Sequence, residues 1–207
     1  MKFRTVCLCA LLLAICNTAH AADWTAIAKK ANESIVYIES ASGSCTGFVI
    51  NSDAKGGKDY IQTAAHCVGA DIFADSAVAR VIWKDTKHDL AILEVEDTGR
   101  PALRLAKSNP QIGEEVASYG YGMALARPMF RTAHVSDDAS ELPEIEGGPF
   151  VMIDAAYVGG QSGGPCINAA GEVVSIVQRA SGLVGVGVGA ERLASRAGRY
   201  YEKAVKP

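Results

Sequence analysis

Apolar residues recur at near-helical spacing in WTAIAKKAN, residues 24–32, and predict a short helix packed on the body of the protein. From residue 34 the period changes. SIVYIES, TGFVI, YIQTA, AVARVIWKD and LAILEVE are short runs rich in Val, Ile, Tyr and Thr, separated by glycine or polar clusters such as NSDAKGGKD. Such runs predict strands joined by turns. Residues 97–111, DTGRPALRLAKSNPQ, hold two prolines and little apolar periodicity, and read as a crossover. A second strand series follows in EVASYGYG, MFRTAHV, FVMIDAA, PCIN, EVVSIVQ and LVGVGVG. Residues 190–205 predict a closing helix that packs Leu193, Ala197 and Tyr201. The class is all-β, with a helix at each end.

The chain is 207 residues long, enough for one large domain or two small halves sharing a core. Its start departs from the strand pattern. A basic MKFR, the apolar TVCLCALLLAI and the small-x-small site Ala19-His20-Ala21 predict a leader over 1–21 and export to the periplasm or medium. The expected organisation is then a first half over 22–107 and a second over 108–207. Cleavage after Ala21 removes Lys2 and Arg4 and leaves 18 basic residues against 23 acidic ones. This acidic balance excludes nucleic acid as a general partner, and no run after the leader predicts a membrane span. Cleavage also removes Cys7, Cys9 and Cys16, leaving Cys45, Cys67 and Cys166, which in an oxidising compartment suggests one disulfide and one free thiol. No C-x-x-C pair follows the leader, so no metal site is expected. Gly185-Val186-Gly187-Val188-Gly189 does not fit a dinucleotide fingerprint, and no cofactor is expected.

The candidate chemistry starts at GGQSGGP, residues 159–165, where Ser162 stands among four glycines. A serine nucleophile needs a base. His66 lies in Thr63-Ala64-Ala65-His66-Cys67 at the end of an apolar run, a place where a barrel rim would hold it; His88 and His134 sit among polar residues and are expected on the surface. Asp89 opens Asp89-Leu90-Ala91-Ile92-Leu93, and an acid placed there needs a donor such as an imidazole Nδ1–H. Gly160-Gln161-Ser162-Gly163-Gly164 also satisfies the G-x-S-x-G elbow of α/β-hydrolases. That order requires a histidine after the serine, and none follows Ser162.

TAAHC, DLAIL and GQSGGP, in that order, resemble the chymotrypsin-like serine proteases. The match to the bacterial HtrA protease domain runs from about residue 34 to 193. The resemblance implies two six-stranded antiparallel β-barrels, polypeptide substrates, and peptide hydrolysis through an acyl-enzyme. It implies Ser162 as nucleophile, His66 as general base and acid, Asp89 as its orienter, and the N–H groups of Gly160 and Ser162 as oxyanion hole. It pairs Cys45 with Cys67 and buries Cys166 as an inert thiol. Gln161 replaces the aspartate of digestive relatives, so activation by propeptide cleavage is not expected. No PDZ domain is expected after the closing helix, and a homo-oligomer is left open. In the pocket, Ala156 would form the base and Ser175, Ile176 and Val177 the substrate-pairing edge, with Val177 narrowing the entrance; small aliphatic residues before the cut follow. The acidic run SDDASELPEIEGG, residues 136–148, is expected as a solvated loop. The alternative function is a protease-like chaperone or protein-binding module with little hydrolysis.

Overall fold

The computed structural model describes residues 21–201 apart from 42, 54, 55 and 124. The expected leader, with Cys7, Cys9 and Cys16, lies outside the described residues except for Ala21. Helix α1, Trp24–Asn32, begins where the Asp23 carboxylate accepts the Ala26 N–H at 3.0 Å. That bond satisfies one of the amides left open in a first turn. Ala31 is the residue it buries, with Trp24 and Ile27 packed partly against the same core.

The first strand series is β1 (Ile35–Ser40), β2 (Gly43–Asp53), β3 (Lys58–Thr63), β4 (Phe73–Ala74), β5 (Ala77–Val78), β6 (Arg80–Asp85) and β7 (Leu90–Glu96). They form a seven-stranded antiparallel sheet in the order β5-β4-β1-β2-β3-β7-β6. AVARVIWKD is therefore two strands, with a tight β4–β5 hairpin at Asp75 and Ser76, both at positive φ. The second series is β8 (Glu115–Gly120), β9 (Met129–Ser140), β10 (Phe150–Ile153), β11 (Pro165–Ile167), β12 (Val173–Ser181) and β13 (Val184–Gly189). These six close into a barrel in the order β10-β13-β12-β11-β8-β9. The fold is thus the chymotrypsin-like one, with one closed barrel and one half-barrel.

Strand β9 continues five residues past the apolar run MFRTAHV, because β10 offers it a ladder: Asp137 pairs with Met152 and Ser140 with Phe150. The acidic run begins inside a strand, and its loop is shorter than the sequence suggests. Helix α2, Ala190–Tyr201, buries Leu193 and Ala197 completely. They join Phe48, Leu90 and Ile92 of the first half and Ile176 and Val188 of the second in one cluster. Burying each such aliphatic side chain contributes about 1.5–3 kcal/mol, so this seam is what holds the halves and α2 together. No helix among the described residues is long and apolar enough to cross a membrane.

Candidate active site

Strand β3 ends at Thr63, whose buried hydroxyl donates to Thr46 O at 2.8 Å. The chain then makes a single 3-10 turn, Ala65–Cys67, that carries His66 at its centre. A disulfide joins Cys67 to Cys45 on β2 and so ties this turn to the sheet. Closing a loop of 22 residues contributes about 3 kcal/mol on the chain-entropy account. The two sulfurs beside His66 are bonded to each other and offer no thiolate to a metal.

Asp89 leaves the β6–β7 turn with φ +53°, in the left-handed region that aspartate tolerates better than most residues. It is 9% exposed. Its Oδ1 accepts the His66 backbone N–H at 2.9 Å and its Oδ2 lies 2.7 Å from His66 Nδ1. Two donors on one buried carboxylate offset its desolvation. With Nδ1 carrying the proton, Nε2 is left as a free acceptor on a side chain that is 48% exposed.

The Ser162 turn is shaped by its glycines. Gly160 has φ +97°, and a Cβ there would stand 2.4 Å from Tyr121 O; Gly163 has φ +83°, and a Cβ would stand 2.3 Å from Thr46 O. No larger residue fits either place. The Gln161 N–H donates to Val158 O and the Gly163 N–H to Val177 O. The N–H groups of Gly160 and Ser162 find no acceptor among the described residues, and so remain open for a ligand oxygen. Gln161 itself is buried, and its Oε1 accepts the Val158 N–H at 2.9 Å, which fixes the approach to the turn. The Ser162 hydroxyl donates to Gln178 O at 3.0 Å and makes no hydrogen bond to His66.

Several expected placements change. His88 is 6% exposed, not on the surface, because Asp85 accepts its ring Nδ1 at 2.8 Å and Arg196 of α2 closes over that carboxylate. His134 is exposed. Ser175, Ile176 and Val177 are at most 1% exposed and are bonded on both sides: all three pair with β13, Ser175 and Ile176 also pair with β11, and Val177 meets Gly163 and Gly164 of the serine turn. No free edge exists there for a substrate, and the Val177 side chain packs into the second barrel's core instead of an entrance. Strand β12 meets the serine hydroxyl at Gln178, a polar residue that ends the apolar run EVVSIVQ. Ala156 is half-buried, and Arg131 donates to its carbonyl oxygen. Tyr157, beside it, is 8% exposed, and its ring fills the space a side chain at Gly185 would need. Cys166 is fully buried; burial first, then Glu114, push its thiol up to about 12 against the hydrogen bond of Tyr157, so no thiolate forms near neutrality.

A cleft of about 580 Å³ lies beside His66, between the Lys84–Lys87 side and Arg179, with Glu144 and Glu146 of the acidic loop on its wall. The loop is held there by Gly147, whose Cα approaches Lys87 O so closely that a Cβ would stand 2.4 Å from it.

Comparison with known proteins agrees with this geometry. The family described as trypsin-like peptidase domain matches residues 45–176. A probable periplasmic serine endoprotease DegP-like from Hahella chejuensis is 35% identical over 160 residues, 72% of this chain and 33% of the relative. The DegP-like protein of Ectopseudomonas mendocina is 33% identical over 156 residues, 68% of this chain and 31% of its own. The chain thus spans about a third of the length of the curated relatives it matches. Among solved structures, the active form of the Rv3671c protease from M. tuberculosis superimposes with a TM-score of 0.74 at 25% identity, covering 87% of this chain and 86% of that one. With the paired His66 and Asp89, the open amides of Gly160 and Ser162 and a family match over residues 45–176, the chain belongs to the trypsin-like peptidase domain family.

Proposed function

We propose that the protein is a periplasmic serine endopeptidase in which Ser162, His66 and Asp89 act as one unit. The observation that carries this reading is the coincidence of an Asp-held imidazole, its Nε2 free, with a serine turn that keeps two N–H groups unpaired. A rotation about χ1 would swing Ser162 Oγ from Gln178 O toward His66 Nε2. His66 then takes the hydroxyl proton as Oγ attacks the peptide carbonyl, and returns it to the leaving amine. Asp89 holds the tautomer and stabilises the imidazolium. The N–H groups of Gly160 and Ser162 take the oxyanion, and losing one such donor costs about 2.7–4 kcal/mol. Water attacks the acyl-enzyme by the same route.

Substrate backbone pairs with residues 178–180, one step beyond the edge expected from sequence. The pocket is shallow because Tyr157 fills its depth, and Arg131 on the Ala156 carbonyl puts a cation where a Lys or Arg side chain would need an acid. Small aliphatic residues before the cut follow, as a preference of about 1–3 kcal/mol per methylene. A fluorophosphonate probe should add its mass to Ser162, and Ser162→Ala should stay folded while losing casein hydrolysis. Equal turnover by the variant refutes the nucleophile, and a folded protein that takes no label favours the protein-binding alternative. Among matched peptides, a kcat/KM for Phe or Lys above that for Val refutes the pocket.

A further inference from the structure

We propose that Arg196, on the C-terminal helix, is a positioning residue for the Ser162 site and acts through Asp85 and His88. This rests on the reading of His66, Asp89 and Ser162 given above. The contacts are continuous. Arg196 Nε and Nη2 each lie 2.7 Å from Asp85 Oδ2, and the same oxygen accepts His88 Nδ1 at 2.8 Å. Asp85 Oδ1 accepts the His88 backbone N–H at 3.2 Å. On the other side of His88, its carbonyl accepts Gln178 Nε2 at 2.7 Å. Gln178 O is the group that holds the Ser162 hydroxyl.

The turn between β6 and β7 shows why this chain matters. Asp85 and Leu90 form the last rung of the ladder, and the turn they enclose delivers Asp89. Its one internal backbone bond, from Asp89 N to Thr86 O, is 3.4 Å long, past the range of a strong N–H···O bond. The Asp85 side chain, bonded to both the backbone N–H and the ring of His88, therefore braces the turn from one side as Gln178 does from the other. The Asp85 side chain is itself 7% exposed, and an acid so buried holds its place only while its donors stay. Arg196 supplies two of them from 111 residues away. Leu193 and Ala197 flank Arg196 on the helix and are wholly buried, so α2 stays docked when the guanidinium is removed. Losing Arg196 loosens the turn, and with it both Asp89 and the Gln178 contact, without dismantling the fold.

The test uses the full chain with three substitutions on α2. Arg196→Ala removes the donors, Arg196→Lys restores one, and Arg199→Ala is the control, since among the described residues Arg199 contacts Tyr200 and not Asp85. On a small peptide substrate, Arg196→Ala should lower kcat by about 10- to 100-fold, the effect of a slight misplacement of reacting groups, with KM little changed. Arg196→Lys should recover most of it, and Arg199→Ala should match wild type. In parallel, the downfield proton resonance of His66 Nδ1–H should shift or broaden in Arg196→Ala and return in Arg196→Lys. An unchanged kcat, or an unmoved His66 signal in a folded Arg196→Ala, overturns the proposal. A wild-type chain without turnover would sink the catalytic reading alone, and the His66 signal then decides the positioning role by itself.

Discussion

His66 with Asp89 and His88 with Asp85 are built alike and placed apart. In each pair one carboxylate oxygen accepts the histidine's backbone N–H, at 2.9 and 3.2 Å, and the other meets ring Nδ1, at 2.7 and 2.8 Å. The His66 side chain is 48% exposed and the His88 side chain 7%. Among the described residues no arginine or lysine pairs with Asp89, whereas Arg196 pairs with Asp85. His134 with Asp154 repeats the motif loosely at the surface, with the backbone bond at 2.7 Å and the ring 3.6 Å from the acid. The Asp–His clamp is thus a local device for fixing a ring. What makes one clamp a candidate catalyst is the solvent-facing Nε2 and the serine turn beside it. The His88 pair is buried in the frame, and the His134 pair lies loose on the surface.

The strongest way to break the comparison is to remove the rings in turn. His66→Ala should lower kcat on the order of 10⁶-fold, since members of such a triad act as a unit. His88→Ala should cost no more than about 100-fold, the effect of a displaced turn. Steady-state rates on one peptide decide this, and comparable losses would erase the distinction between the pairs.

The acids come next. Asp89→Asn should lower kcat by about 10⁴-fold with the fold intact, because an amide can hold the ring in the wrong tautomer. Asp85→Asn should show its main effect in denaturant melts, as a loss of about 1–3 kcal/mol at neutral pH from buried groups left without their charged partner. That deficit depends on pH. Burial alone would raise the Asp85 carboxyl, but hydrogen bonds from His88 and Arg196 outweigh it and hold it below the usual aspartate range. A lowered folded pKa means stabilisation that is complete above the unfolded value, about 3.9, and is lost as pH falls through the folded one. Wild type and Asp85→Asn should therefore converge in stability below about pH 4, and parallel curves there would show that Asp85 carries no such linkage.

His134→Ala should do least. Both side chains of that pair are more than half exposed, so the ion pair contributes roughly 0–1 kcal/mol, and peptide hydrolysis should not change. A drop in activity would place the acidic strand end of β9 in the working site.

Much of this was legible in the chain itself. The strand and helix runs follow the apolar period, and the order His66, Asp89, Ser162 with its glycines is carried by residue type alone. A glycine's missing Cβ and a serine's hydroxyl are properties that travel with the sequence. Partners brought together across the fold are not. Arg196 approaches Asp85 only because Leu193 and Ala197 seat α2 against both halves, and that contact is what turns His88 inward. Strand β9 runs through charged residues because β10 lies beside it, a fact that no property of SDDAS announces. Val177 turns into the second barrel's core for the same reason: in a strand the side-chain period is two, so which face meets the core is set by the neighbouring ladder of β13. Residue chemistry determined what the candidate site is made of, and the meeting of distant surfaces decided which aspartate–histidine pair stays open to solvent and which one is closed over by α2.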